Sequence, residues 1–271
     1  MERKTAHFVH SLAKGFKVLQ AFRQDRPTLT LTEIATLSDM NTPTAQRITD
    51  TLLDLGYLKR NQRKEFFLGP KVLTLGFAYL HGSQLTNLAA QYLDAFFERH
   101  HWTVNLAVLE DSEVIYLVRR EQERFLKHHV QPGFRLPANC TAMGKVLAAG
   151  LPPDKFAELL AKGEFVRMTR HTIVDPEEFR TEVAAVRKRG YAYCHRELSL
   201  GVSAVAAPVL DHEGRVVASV NVALPADKAE GELLAETTSQ VLELGRELSA
   251  SLGYVGVYPL ITSAPSPGRT V

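Results

Sequence analysis

Cys140 and Cys194 are the only two thiols in the chain, and a thiol becomes a nucleophile once a neighbouring base takes its proton. His195 follows Cys194 directly, and His128-His129 stand further upstream. Residue type alone therefore admits a cysteine–histidine dyad, or a metal held by Cys194, His195, His128 and His129. Neither has the supporting pattern. No nucleophile signature surrounds either cysteine, sequence neighbours are not thereby hydrogen-bonded, and the paired spacing of structural zinc sites is missing. Gly144-Lys145 has the closing residues of a phosphate loop. That motif needs glycine five residues earlier, where Asn139 stands, and serine or threonine next, where Val146 stands. The expectation is a chain with no catalytic residue, no metal and no cofactor.

Charge points elsewhere. The net charge is +2 over 271 residues, but it is unevenly spread. Residues 1–70 hold 11 Lys and Arg against 7 Asp and Glu, and the remainder holds 21 against 23. A small basic unit on a larger, slightly acidic body suits a nucleic-acid reader joined to a sensor, because cationic side chains displace counterions from phosphates. With 45% hydrophobic and 23% charged residues, the composition is that of a globular protein rather than a fibrous or disordered one. Two cysteines exclude a disulfide framework and a four-cysteine zinc site. Apolar runs such as Val202 to Leu210 and Val216 to Ala226 fall well short of a membrane span, and the first residues have no signal-peptide stretch. A cytoplasmic location is expected.

The basic unit must be built from short helices. Leu12, Phe16, Val18, Leu19 and Phe22 recur at helical spacing behind Ser11, a good N-cap, and Pro27 closes this core-facing first helix. Thr30-x-x-Glu33 has the form of a capping box ahead of Ile34, Ala35 and Leu37. Thr42-Pro43 reads as an N-cap followed by proline at the first helical position, with Ala45, Ile48, Leu52, Leu53 and Leu55 inward until Gly56. Two short helices joined by about four turn residues make a helix-turn-helix. The inward set leaves Thr44, Gln46, Arg47 and Thr51 on the outer side of the second helix with Thr42 at its start, side chains suited to base edges and phosphates. Beyond Gly56, strands Tyr57–Arg60 and Phe66–Leu68 flank the tip Asn61-Gln62-Arg63-Lys64. That is a wing, and Arg63 and Lys64 suit a phosphate backbone or minor groove.

The body reads as mixed α/β. Pro70 to Leu80 is an apolar helix that joins domains or pairs with a second subunit, and Gly82-Ser83 breaks it. Leu85 to His100 is a helix, Val104–Leu109 and Val114–Val118 are neighbouring strands, and Arg124–His129 adds another. Helices are expected at Asn139–Gly150, Pro153–Lys162 and Pro176–Arg189, a hairpin at Val202–Leu210 and Arg215–Leu224, and a last helix at Gly231–Leu252. The expected fold class is α+β: a winged helix-turn-helix over 8–70, a linker helix over 71–84, a sensing body over 85–255, and a flexible tail over 256–271.

Seven ordered stretches resemble the IclR-type transcriptional regulators over about residues 8 to 255. They are Ser11–Leu19, Leu31–Ala35, Thr42–Arg47, Leu68-Gly69, Thr141–Ala148, Arg187–Ala192 and Gly201–Val209. The resemblance implies a GAF-like effector domain, a homo-oligomer (a dimer or dimer of dimers), a palindromic double-stranded operator, and RNA polymerase as a further partner. Phe8–Leu12 and Glu197–Gly201 are most similar to the subgroup that governs aromatic-acid catabolism, whose effectors include protocatechuate and para-hydroxybenzoate. In the family, the effector carboxylate sits at the start of the Gly-Lys helix, which maps to the N–H groups of Ala142 and Met143. Helix amino ends favour anions. Further pocket positions map to Cys194, Ala204, Asn221 and Ala223. Several members have an acid at the position of Cys194, cysteine or serine at Ala204, serine at Asn221 and arginine at Ser203, so this pocket is less polar and suits a larger, partly apolar acid. The expected function is a regulator sensing an aromatic carboxylate. The alternatives are a sensor of a short aliphatic acid such as pyruvate or glyoxylate, a cysteine-dependent enzyme, and a non-specific nucleic-acid binder.

Overall fold

The computed structural model describes residues 7–23, 25–121 and 130–259. The chain divides into two compact units, Met1–Gly82 and Ser83–Val271. The strand expected over Arg124–His129 lies outside the described residues.

In the first unit, α1 (His10–Gln20) is followed by β1 (Thr28–Leu29), α2 (Leu31–Leu37), α3 (Thr42–Asp54), β2 (Leu58–Arg60), β3 (Phe66–Leu68) and α4 (Val72–Gly82). Val18, Phe22, Ile34, Ala45, Leu52, Leu58 and Phe66 form its core. Three expectations need correction. Val9, not Ser11, precedes α1, no side chain caps it, and the helix ends at Gln20, well before Pro27. Leu12 and Phe16 are exposed, because the apolar residues of α1 span too wide an arc for one face to bury. Leu55, also assigned inward, is exposed too. The second helix starts one residue earlier than expected. Asn41 is the N-cap, its Oδ1 accepting from Thr44 N at 2.9 Å, which puts Thr42 inside the first turn. The capping box is present as read: Thr30 Oγ1 accepts from Glu33 N, and Glu33 accepts from Thr30 N at 2.7 Å. The pair β2–β3 is antiparallel, and β1, not anticipated, adds to the far side of β3.

The second unit contains α5 (Gln84–His100), β4 (Thr103–Glu110), β5 (Glu113–Arg120), β6 (Arg135–Pro137), α6 (Ala142–Ala149), α7 (Pro153–Lys162), α8 (Pro176–Arg189), β7 (Ala192–His195), β8 (Val202–Leu210), β9 (Val216–Pro225) and α9 (Gly231–Ser251). Its sheet is antiparallel throughout, in the order β6-β5-β4-β9-β8-β7. The short strands β6 and β7 carry too few residues for alternation to show in sequence. Asn139 and Cys140, expected to open that helix, lie instead in a separate 3-10 turn, Ala138–Cys140, before Thr141 caps α6. Buried side chains of α6, α7 and α8 pack in one cluster with Ala107, Tyr116, Cys194 and Ala206 of the sheet. The helices α5 and α9 pack on β4, β5, β8 and β9, burying Leu93, Phe96, Val241, Leu244 and Leu248. The tail drawn from residue 256 begins too early. Tyr258 is seated on the body, its hydroxyl donating to Pro208 O at 2.8 Å, because the phenol gains a buried acceptor there. No helix among the described residues is long and apolar enough to cross a membrane.

Candidate functional site: a sheet-floored cavity and an exposed helix face

The floor of the cavity follows from strand register. In a sheet, residues two apart on one strand share a face. Cys194 pairs Ala204, Ala204 pairs Ala223, and Ala223 pairs Thr103, so these four form a row across β7-β8-β9-β4. Two residues along, Asn221 pairs Asn105 and Asn105 pairs Arg119, a second row on the same face. Both rows line one cavity, together with Tyr116, Cys140, Thr141, Ala142, Glu197, Leu198 and Val202. The cavity is about 30 Å³.

Five of the six expected effector positions meet there: Ala142, Cys194, Ala204, Asn221 and Ala223. Met143 does not line it. Its side chain is fully buried in the core, and only its backbone belongs to the first turn of α6. Thr141 Oγ1 accepts from Gly144 N at 3.0 Å, and the N–H groups of Ala142 and Met143, ahead of the first intrahelical bond, stay available at the positive end of the helix. Sequence reasoning missed Thr103, Asn105, Tyr116, Arg119 and Glu197. For the strand residues there was a signal: Thr103 and Asn105 alternate with Val104 and Leu106, putting polar groups at inward positions of a buried strand.

Electrostatics divides the wall. Arg119 donates to Asn105 Oδ1 at 2.8 Å and to Glu121 at 2.6 and 3.1 Å, and Asn105 donates to Asn221 Oδ1 at 2.8 Å. Lys145, sealed at 1% exposure, contacts Glu197 Oε1 at 2.6 Å. Burial opposes the Lys145 charge, but the Glu197 carboxylate holds it, and the ammonium pKa is raised. Glu197 Oε2 and Thr103 Oγ1 are buried with no hydrogen bond. Burial pushes the Cys140 thiol up to about 12 and the Cys194 thiol higher still. Cys194 and His195 point to opposite faces of β7, as strand neighbours must. Instead of the thiol, His195 Nδ1 meets Ser203 Oγ at 2.9 Å and Tyr193 Oη at 3.0 Å. The dyad from sequence does not form, and His128 lies outside the described residues. Among the described residues no cluster of His, Cys, Asp and Glu fits a metal.

In the first unit, Arg47 and Thr51 are exposed on α3 and Thr42 is exposed at its start. Thr44 and Gln46 are half-buried. Gln46 donates to Asp50 at 2.6 Å and Thr51 to Arg47 O at 2.8 Å. Asp50 and Asp54 are exposed on the same helix, acids that the sequence reading passed over. At the wing tip Arg63 and Lys64 are exposed, and Lys64 sits at φ 63° in the left-handed region.

Comparison with known proteins bears on both units. The family model described as IclR helix-turn-helix domain matches residues 11–62, and that described as Bacterial transcriptional regulator IclR C-terminal matches residues 77–250. The Pca regulon regulatory protein of Pseudomonas putida is 35% identical over 216 residues, 79% of this chain and 74% of that protein. The p-hydroxybenzoate hydroxylase transcriptional activator of Acinetobacter baylyi is 31% identical over 256 residues, 93% of each. An IclR homolog from Microbacterium hydrocarbonoxydans, solved in complex with 4-hydroxybenzoate, matches with TM-score 0.72 at 26% identity, covering 90% of this chain and 98% of that one.

Proposed function

The chain belongs to the IclR family of transcriptional regulators, with its helix-turn-helix and its C-terminal domain both present, and from that premise we propose that it senses an aromatic carboxylic acid and controls a catabolic operon. The observation that carries the reading is the cavity. It offers the N–H groups at the start of α6 to an anion, the neutral walls Ala204, Ala223, Leu198 and Val202 to a ring, and polar contacts at Asn221 and Tyr116 to a substituent. Two relatives, named Pca regulon regulatory protein and p-hydroxybenzoate hydroxylase transcriptional activator, and a structural neighbour holding 4-hydroxybenzoate, favour this chemistry. Burial holds both thiols of the cavity protonated, which disfavours a cysteine nucleophile there.

Operator contacts are assigned to Thr42, Thr44, Gln46, Arg47 and Thr51 on α3, with Arg63 and Lys64 of the wing on the backbone. Of these, Arg47, Thr51, Thr42, Arg63 and Lys64 are the accessible ones. The reader works as a pair of chains, because α4 carries Leu73 and Phe77 on one side and Leu75 and Tyr79 on the other, buries none of them, and needs a cover. A two-fold protein reads a palindrome, and RNA polymerase is the further partner proposed, whether the regulator activates or represses.

A thermal-shift screen against benzoate, 4-hydroxybenzoate, protocatechuate, pyruvate and glyoxylate tests the effector class, since a ligand of the native state alone raises the melting temperature. Concentration-dependent stabilisation by the aromatic acids is expected. Stabilisation by pyruvate or glyoxylate, with none by the aromatic acids, replaces the reading with the aliphatic one.

A further inference from the structure

The row Arg119–Asn105–Asn221 has a fixed polarity that neither amide has alone. A guanidinium only donates. Asn105 must therefore present its oxygen to Arg119 Nη1, at 2.8 Å, and its Nδ2 group away from it. That Nδ2 donates to Asn221 Oδ1, also at 2.8 Å. Asn221 is left with Nδ2, a pure donor, on a side chain that lines the cavity. Turning either amide over would set two donors against each other. The cation is itself anchored, its Nε and Nη2 both on Glu121 Oε2 and its side chain only 8% exposed. Each link is a directly opposed cross-strand pair, so the backbone ladder fixes the spacing.

We propose that Arg119 and Asn105 are positioning residues for effector recognition: they hold the Asn221 carboxamide with its N–H groups toward the ligand, so that the site demands an acceptor oxygen on the bound acid at that point. This rests on the cavity being the acid site. The acceptor is either the carboxylate or a ring oxygen such as a phenolic hydroxyl, and the chemistry is the same.

Asn105→Asp tests it, because aspartate keeps the shape and reverses the last bond. A carboxylate accepts from Arg119 on one oxygen and from Asn221 Nδ2 on the other, turning Asn221 Oδ1 toward the ligand. The full chain is titrated by calorimetry with benzoate and 4-hydroxybenzoate, in the wild type, Asn105→Asp, Asn221→Ala and the double variant. An affinity loss of about ten-fold or more is expected for Asn105→Asp, shrinking to less than about two-fold when Asn221 is already alanine, as coupling through one side chain requires. An equal loss in both backgrounds reports added charge or a damaged sheet and overturns the inference, as does unchanged affinity in Asn105→Asp. Asn105→Leu, which breaks the row without adding charge, carries the same comparison if the aspartate variant does not fold. A loss in Asn221→Ala for both acids assigns the carboxylate as acceptor, and a loss for 4-hydroxybenzoate alone assigns the hydroxyl. If the wild type binds neither acid, the aromatic-acid reading falls and takes this inference with it.

Discussion

A thiol in a cavity invites chemistry, and here the surroundings suppress it. Cys140 and Cys194 are both buried, and loss of a proton would leave a thiolate without water. Native protein at pH 8 is expected to give almost no reaction with a thiol reagent such as dithionitrobenzoate, and two equivalents once unfolded; fast native labelling would reopen the cysteine enzyme. The same shift has a signed effect on stability. Cys140 ionises at 9.0 ordinarily and at about 12 in the fold, so between those values the unfolded chain binds fewer protons. Stability is complete below pH about 9 and falls as pH rises toward 12, which denaturant titration at pH 8, 9 and 10 measures. Lys145 shows what one sequence can and cannot say. Its place after Gly144 raised and failed a phosphate-loop reading, and its partner Glu197 stands 52 residues on, a pairing that only the fold brings about.

At the scale of elements, signals written in neighbouring residues were legible. The Thr30–Glu33 box, the proline of α3, the wing and the hairpin β8–β9 all depend on contacts within a few residues or on long alternation. What depended on a third partner was not. The arc of α1 admitted Leu12 and Phe16 to the core, β1 needs β3 to exist, and β6 and β7 are strands because a sheet edge accepts them. Among the site residues, the helix start and the small side chains of β8 and β9 were found through resemblance, while Arg119 and Asn105 were hidden in strands read for hydrophobicity alone. Gly144 is an element-level constraint. A Cβ there would stand 2.2 Å from Ala138 O and 2.5 Å from Ala138 Cα, backbone atoms that cannot turn aside. Gly144→Ala is expected to push α6 off the preceding turn, costing about 1–3 kcal/mol in thermal or denaturant unfolding and lowering acid affinity. A variant as stable as the wild type, with unchanged binding, would show that this contact is not tight.

For the whole molecule, the exposed apolar side chains of the first unit bear on the proposed pairing of chains. Leu12 and Phe16 on α1 and Leu73 and Phe77 on α4 are each at least half exposed, and a helix apolar all round is ordinarily covered. Sedimentation is expected to find a dimer or larger, and Leu73→Glu with Phe77→Glu to shift it toward monomer and weaken binding to palindromic DNA. A monomeric wild type at micromolar concentration would remove the paired reader. Finally, the small size of the cavity, about 30 Å³, has a bearing on dose. If the proposed acid enters only a form whose walls have parted, and that form is about 1% of molecules, the apparent affinity is about a hundred-fold below that of the contacts themselves. On that reading the narrow resting cavity would set a threshold, passing over traces of its ligand and answering only a larger supply.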